Sequence, residues 1–316
     1  MKILNYHHLR LFWAVASEGN LTRASGELHL APQTVSTQIR DLEESFGVKL
    51  FGRQGRGLVL TETGRIVFRY AEDIFNLGRE LQDVLRGLPV SRPMQLTVGI
   101  SEVVPKIIAH HLIEPATQMK KRVHIICREG NLEKLLADLA IHQLDVVLSD
   151  SPIPPTVNIK AYNHILGKCG IKFMAVGNLS KGLRQGFPQS LNGAPFLAPV
   201  RGTVLRQTLD KWFGTHSIFP EIVGEFEDSA LLKVFGQTGA GFFAIPSVIE
   251  PEVTRQYLVQ PVGLAEGISE HFYAISVDRQ IKHPAVTSIC DAGRSKLFRQ
   301  RETLLEKAHS TDQNQC

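Results

Sequence analysis

Apolar positions in the first sixty residues recur at helical spacing between tight breaks. Leu9, Phe12, Trp13 and Ala16 fall at i, i+3, i+4 and i+7, the face that a single helix buries. Gly19-Asn20 ends that run, and Leu21, Ala24, Ser25 and Leu28 repeat the spacing over a shorter helix. His29-Leu30-Ala31 is a tight connection. Pro32 suits the first turn of a third helix, where its missing N–H costs nothing, and Val35, Ile39, Leu42 and Phe46 form the inward stripe. Three short helices joined by tight turns predict a helix-turn-helix, whose second motif helix enters the DNA major groove. After Gly47, Leu50-Phe51 and Leu58-Val59-Leu60 predict two short strands around the tip Arg53-Gln54-Gly55-Arg56-Gly57.

A different period follows. From Thr61 to Arg86 there is no proline, and Val67, Ala71, Ile74, Gly78, Leu81 and Leu85 advance alternately by four and three. That heptad seam predicts one long helix paired with a second copy of the chain, or packed on the chain's own domains. Gly87-Leu88-Pro89 and Ser91-Arg92-Pro93 end it and make a hinge. From Met94 onward strands and helices alternate, as in parallel α/β structure. Strands are expected at Met94–Ile100, Val123–Cys127, Leu144–Leu148, Ile171–Val176, Glu221–Phe226, Phe242–Ile245 and Phe272–Val277. Crossover connections near Ala161–Lys168 and Gly267–His271 would divide two lobes around a cleft. The expected domains are 1–60 for DNA binding, 61–90 for the linker helix, 91–306 for the two-lobed α/β part, and a polar tail over 307–316.

Composition narrows the class. With 43% apolar and 21% charged residues the chain is globular, and no apolar run is long enough to span a membrane. The N-terminal MKILNYHHLRLFW lacks a signal peptide's apolar core, so a cytoplasmic protein is expected. Cys127, Cys169, Cys290 and Cys316 show no paired spacing, as reduced thiols do. A net charge of +4 proves nothing about nucleic acid, but Val48–Thr61 carries Lys49, Arg53 and Arg56 and no acid. Such a local basic patch is what a phosphate backbone requires. The helical wheel of the third helix turns Gln33, Ser36, Thr37 and Arg40 outward, and all four can reach base edges or phosphates. Arg53 and Arg56 on a glycine-rich tip suit the minor groove or phosphates.

Leu9-Arg10-Leu11-Phe12, Asn20-Leu21-Thr22-Arg23-Ala24-Ser25, Val35-Ser36-Thr37-Gln38-Ile39-Arg40-Asp41-Leu42-Glu43, Leu50-Phe51-Gly52-Arg53 and Leu60-Thr61-Glu62-Thr63-Gly64 together resemble LysR-type transcriptional regulators in order and spacing. The resemblance implies a winged helix-turn-helix, a long linker helix, and a two-lobed α/β effector domain similar to periplasmic binding proteins. It extends the expected DNA-binding set to Pro32, Gln33, Thr34, Ser36, Thr37, Arg40, Arg53 and Arg56. It also implies a homo-oligomer, dimer or tetramer, acting on double-stranded DNA with RNA polymerase as a further partner. This chain departs from the family in having Ala31-Pro32-Gln33-Thr34 where many members have Ser-Gln-Pro-Ala, so base preferences do not carry over. Asn5-Tyr6-His7-His8-Leu9, Pro32-Gln33-Thr34, Gly55-Arg56-Gly57-Leu58, Ser149-Asp150, Gly224 through Leu231 and His283-Pro284-Ala285-Val286 resemble the branch that activates a sodium/proton antiporter gene in response to sodium.

Ligands in open α/β sheets collect at the carboxyl ends of strands. The candidates there are Ser101, Glu102, Asn131, Asp150, Arg201, Thr203 and Asp228. Carboxylates suit a hard cation such as sodium. Asn131 and Asp228 also stand where helix N-caps stand. The alternative effector is a small organic anion held by Ser101, Arg201 and helix N-termini. No resident cofactor is expected. A binding-only transport protein would lack the DNA-reading part. An enzyme is disfavoured because HExxH, GxSxG and GxxxxGK[ST] are absent, and Gly236–Gly241 follows a helix where a dinucleotide loop would precede one. The adjacent pairs His7-His8 and His110-His111 splay about 100° apart on a helix and lack evident metal partners.

Overall fold

The computed structural model describes residues 4–54, 57–86 and 93–298, which form two compact units divided between Arg92 and Pro93. The first unit holds α1 (Tyr6–Glu18), α2 (Leu21–Glu27), α3 (Pro32–Phe46), β1 (Phe51–Gln54), β2 (Gly57–Leu60) and α4 (Glu62–Leu85). Local chemistry fixes each boundary. The Asn5 side chain accepts from the N–H groups of His7 and His8, and Asn20 accepts from Arg23 N. Gly19 and Gly47 close α1 and α3 with φ of 62° and 70°, a conformation that penalises any residue with a Cβ. Leu9, Phe12, Val15, Ala24, Val35, Ile39, Leu42 and Leu50 make one buried core.

Helix α4 packs on that core, which corrects part of the heptad reading. Ala71 is fully buried and Val67 and Ile74 pack with it, as do Phe68 and Phe75. The Phe75 ring lies 5.4 Å from that of Trp13, and the Arg79 guanidinium sits 5.4 Å over Trp13. The first half of the expected seam therefore joins the chain's own helix-turn-helix. The second half stays open: Gly78, Leu81 and Leu85 are exposed, with Leu77 at 68%.

The second unit opens with β3 (Met94–Ser101), α5 (Lys106–Thr117), β4 (Val123–Gly130), α6 (Leu132–Ala140) and β5 (Val146–Ser149). It continues through β6 (Tyr162–Val176), α7 (Gly177–Arg184), β7 (Pro195–Pro199), α8 (Val204–Thr215), β8 (Glu221–Phe226) and α9 (Ser229–Gln237). Last come β9 (Phe243–Pro246), α10 (Glu250–Tyr257), β10 (Val259–Ser276) and α11 (Pro284–Asp291). β3, β4 and β5 are parallel, as alternating strands and helices dictate, and β7 and β8 are a second parallel pair. The six-stranded sheet runs β4-β3-β5-β10-β6-β9 and is mixed. The expected crossover loops are instead parts of β6 and β10, which pair antiparallel from Tyr162–Ser276 to Val176–Val259. Two long strands thus serve both lobes, and β10 shifts register between Ala265 and Ser269. One core centres on Leu96, Val98, Ile108, Val146 and Phe272, and another on Phe173, Phe196, Trp212, Phe213 and Phe242.

The Gly236–Gly241 segment is structural. A Cβ on Gly236 would stand 2.2 Å from the Phe243 ring, and one on Gly241 would stand 2.5 Å from Pro195 O. Among the described residues, no helix is long and apolar enough to cross a membrane. Cys169 and Cys290 are buried and Cys127 is exposed, and none of the three is in a disulfide; Cys316 lies outside the described residues.

Candidate nucleic-acid interface and effector cleft

Helix α3 buries Val35, Ile39, Leu42 and Glu43, and that choice of face turns the opposite one outward. Pro32, Gln33, Thr34, Thr37 and Arg40 are exposed and Ser36 is half-buried. The Thr37 hydroxyl donates to Gln33 O at 3.0 Å, which leaves its lone pairs facing solvent. The wing strands pair Phe51 with Leu60 and Gln54 with Gly57. The side chain of Arg53 and all of Arg56 lie outside the described residues.

Glu43 ties the exposed helix to the wing. Its Oε1 accepts from Leu50 N at 2.8 Å and Phe51 N at 3.2 Å, and its Oε2 from Lys49 Nζ at 2.6 Å. Burial alone would raise its pKa. Lys49 and the two N–H groups outweigh burial and hold it below the usual carboxylate range. Thr61 secures the other side of the wing, donating to Lys49 O at 2.7 Å and accepting from Gly64 N at 2.9 Å. A Cβ on Gly64 would fall 1.9 Å from Leu50 O, so only glycine lets α4 approach the wing this closely.

In the second unit a cleft, open at its mouth, is lined by the start of α5, the ends of β5 and β8, helices α8 and α9, and strands β9 and β10. Apolar residues such as Leu205, Phe226, Leu232 and Ile245 form much of its wall. Of the expected effector residues it contains Asp150 and Thr203. Asp150 is buried, and burial pushes its carboxyl above the usual range, partly offset by a hydrogen bond from Ser151. Thr203 caps α8, accepting from Arg206 N at 3.2 Å.

The other candidates serve elsewhere. Asn131 caps α6 by accepting from Lys134 N at 2.9 Å, and Asp228 caps α9 by accepting from Ala230 N at 2.8 Å. Glu102 is exposed and Ser101 is buried, but neither lines the cleft. The Arg201 side chain is 83% exposed and stands 3.8 Å from Glu225, while the buried Arg206 pairs with that exposed carboxylate at 2.5 Å.

Two charged groups in the cleft were not anticipated. Glu270 on β10 and Lys233 on α9 are both buried and both line it. Burial, then the charge of Asp150, pushes Glu270 up to about 8. Burial pushes Lys233 down to about 8 against the pull of Asp228 and Glu270. Lys233 Nζ donates to Ser229 O at 2.9 Å and to Ser229 Oγ at 3.2 Å. The strand-end rule passed over Glu270 because it stands inside a strand, on a stretch read as a connection. Lys233 had a signal: on the α9 wheel it stands about 60° from the buried Gly236, which lies between it and the buried Leu232. The expectation that His110 and His111 lack metal partners is also corrected. Their ring nitrogens and the Glu114 carboxylate lie within 4.8 Å of one another, and His111 is 3.4 Å from Glu252.

Residues 6–65 match the bacterial regulatory helix-turn-helix family described as lysR, and residues 91–297 match the LysR substrate binding domain. The transcriptional activator protein NhaR of Escherichia coli (strain K12) is 35% identical over 298 residues, covering 94% of this chain and 98% of that one. A RuBisCO operon transcriptional regulator of Allochromatium vinosum is 35% identical over 158 residues, 50% of this chain and 52% of its own. Among solved structures, ArgP of Mycobacterium tuberculosis aligns with a TM-score of 0.60 at 18% identity, over 94% of this chain and 99% of that one. Full-length LysG of Corynebacterium glutamicum, with bound effector Arg, aligns with a TM-score of 0.59 at 16% identity, over 93% and 99%. At those identities the structures speak for the fold alone. With both family patterns matched in order over the two units just described, this chain belongs to the LysR family of DNA-binding transcriptional regulators.

Proposed function

We propose that this protein is a cytoplasmic transcriptional activator that responds to sodium and controls a sodium/proton antiporter gene. The observation that carries the reading is the 35% identity to an activator of the antiporter-regulator branch, running through both units. The cleft chemistry supports it, since Asp150 and Glu270 offer hard oxygen ligands where an effector would sit. In this reading α3 meets base edges through Gln33, Thr34, Ser36, Thr37 and Arg40, and the wing arginines Arg53 and Arg56 meet the backbone. The exposed end of α4, with Leu77, Leu81 and Leu85, pairs with a second copy and sets two DNA-reading units side by side. Bound at a promoter, the oligomer acts through RNA polymerase. The test is footprinting upstream of a neighbouring antiporter gene with sodium and with potassium at equal ionic strength, because salt of any kind weakens phosphate contacts. A sodium-specific change in the footprint is expected; identical footprints would overturn the reading.

A second reading has one specific observation in its favour. Lys233 places a buried ammonium against the apolar wall of the cleft, which suits a small organic anion. A response to carboxylic acids at constant sodium would favour that effector.

A further inference from the structure

Three buried ionisable groups face the effector cleft, and their charges do not cancel. Asp150, Glu270 and Lys233 are each more than nine-tenths buried and line one cavity, and both carboxylates also line an adjoining recess with Ser151, Thr208 and Ser269. Glu270 is 5% exposed and its Oε2 has no hydrogen-bond partner among the described residues, so an oxygen stands open in a buried wall. The hydrogen bonds of Lys233 go to Ser229 and to neither carboxylate. Resting on the reading of this cleft as a cation sensor, we infer that Lys233 sets the valence of the effector: it cancels one of the two carboxylates, leaving a site of one net negative charge that takes a monovalent cation in preference to a divalent one.

The argument is electrostatic. In a low-dielectric cavity charge mismatch is poorly screened, and a bound complex is favoured when its buried charges sum to zero. One sodium ion with ionised Asp150, Glu270 and Lys233 meets that condition, whereas a calcium or magnesium ion leaves one positive charge buried and unmatched. Of the neighbouring charges, Asp228 acts most on Lys233 and favours its protonated form. Glu227 and Asp228 at the rim are exposed to water, and Lys106 is paired with Glu129 at 2.5 Å. The ionised triad belongs to the bound complex. Burial and Asp150 favour a protonated Glu270 in the empty cleft, so the cation enters as that proton leaves to solvent, while Asp228 and then Glu270 favour a protonated Lys233. Thr203 and Ser229 add neutral oxygens beside the carboxylates. Glu270 thereby becomes a cation ligand and Lys233 the residue that decides which cations are taken.

The test titrates the full-length protein with NaCl, KCl, CaCl₂ and MgCl₂, ionic strength being held constant with choline chloride. Calorimetry and the shift in Tm are the readouts. The wild type should respond to sodium and be indifferent to the divalent ions. Lys233→Met should reverse that order and bind calcium about tenfold tighter or more than the wild type does. Lys233→Gln serves if the Met variant does not fold cooperatively. Glu270→Gln, which keeps the ammonium and removes the excess negative charge, should abolish sodium binding. Wild-type ion preference in a folded Lys233 variant, or sodium binding retained by Glu270→Gln, would overturn the valence assignment alone. A wild type without any sodium-specific signal would overturn the cation reading beneath it, and the valence assignment with it.

Discussion

Single side chains in this protein carry opposite pH signatures. Glu270 has its folded pKa raised from 4.5 to about 8, chiefly by burial, so its proton is held more tightly folded than unfolded. Stability from that proton is fully present below 4.5 and is lost as pH rises through about 8. Lys233, lowered from 10.5 to about 8, contributes above 10.5 and loses that contribution as pH falls through about 8. The Tm of the wild type should therefore fall between pH 4.5 and 8, and Glu270→Gln should flatten that limb. An unchanged slope in the variant would place the titration elsewhere. Glu43 works the other way, because its depressed pKa gives stability present above 4.5 and lost as pH falls through the folded value. Lys49 is mostly in water, so the larger part of the Glu43 contribution comes from the two wing N–H groups. Glu43→Ala leaves them unpaired and should cost about 1–3 kcal/mol in urea denaturation at pH 7. On the outer face, Gln33→Ala should relax base preference at one operator position and cost about 1–3 kcal/mol there. Equal affinity for matched and mismatched operators in both proteins would remove Gln33 from the base-reading set.

Among the elements, α4 has two different halves, and each half tells how far the sequence could be read. The three-four spacing located the helix, because any helix with one buried stripe shows it. Spacing cannot say what covers the stripe. Val67, Ala71 and Ile74 meet the core around Trp13 and Leu42, while Leu77, Leu81 and Leu85 meet solvent. Charges at the exposed end, as in Leu77→Glu with Leu81→Glu, should give monomers in sedimentation at low micromolar concentration while the first unit stays folded. Ile74→Glu should instead unfold that unit, and a dimeric Leu77/Leu81 double variant would put self-association on another surface. The contrast recurs in the effector unit. Parallel β3, β4 and β5 were legible because apolar runs alternate with amphipathic helices. The β6–β10 pairing was hidden because its partners lie about a hundred residues apart, and polar or glycine positions such as Lys168, Gly267 and His271 imitate loops. The cleft was half legible for the same reason. Asp150 ends a strand and Thr203 begins a helix, as the rule for open sheets requires, but Glu270 entered through a long-range pairing that local pattern does not encode.

At the level of the whole molecule, the chain divides between Arg92 and Pro93 into two units with separate cores. The DNA-reading face belongs to the first unit and the charged cleft to the second. A ligand shifts a conformational equilibrium only by its differential affinity for the states involved, so sodium can alter DNA contacts only if its binding energy differs between arrangements of the oligomer. That places a requirement on fragments. Residues 93–316 produced alone should fold with their own melting transition and keep the sodium-dependent shift in Tm, since all three buried charges are present. Residues 1–92 alone should hold operator half-sites with affinity that falls as ionic strength rises, equally in sodium and in potassium. The full chain should combine the two, its footprint changing with sodium and ceasing to change in Glu270→Gln, while affinity for the operator without sodium is unaltered. If the first unit alone distinguished sodium from potassium, the ion would be acting at the DNA interface, and the carboxylates of the cleft would have no part in the response.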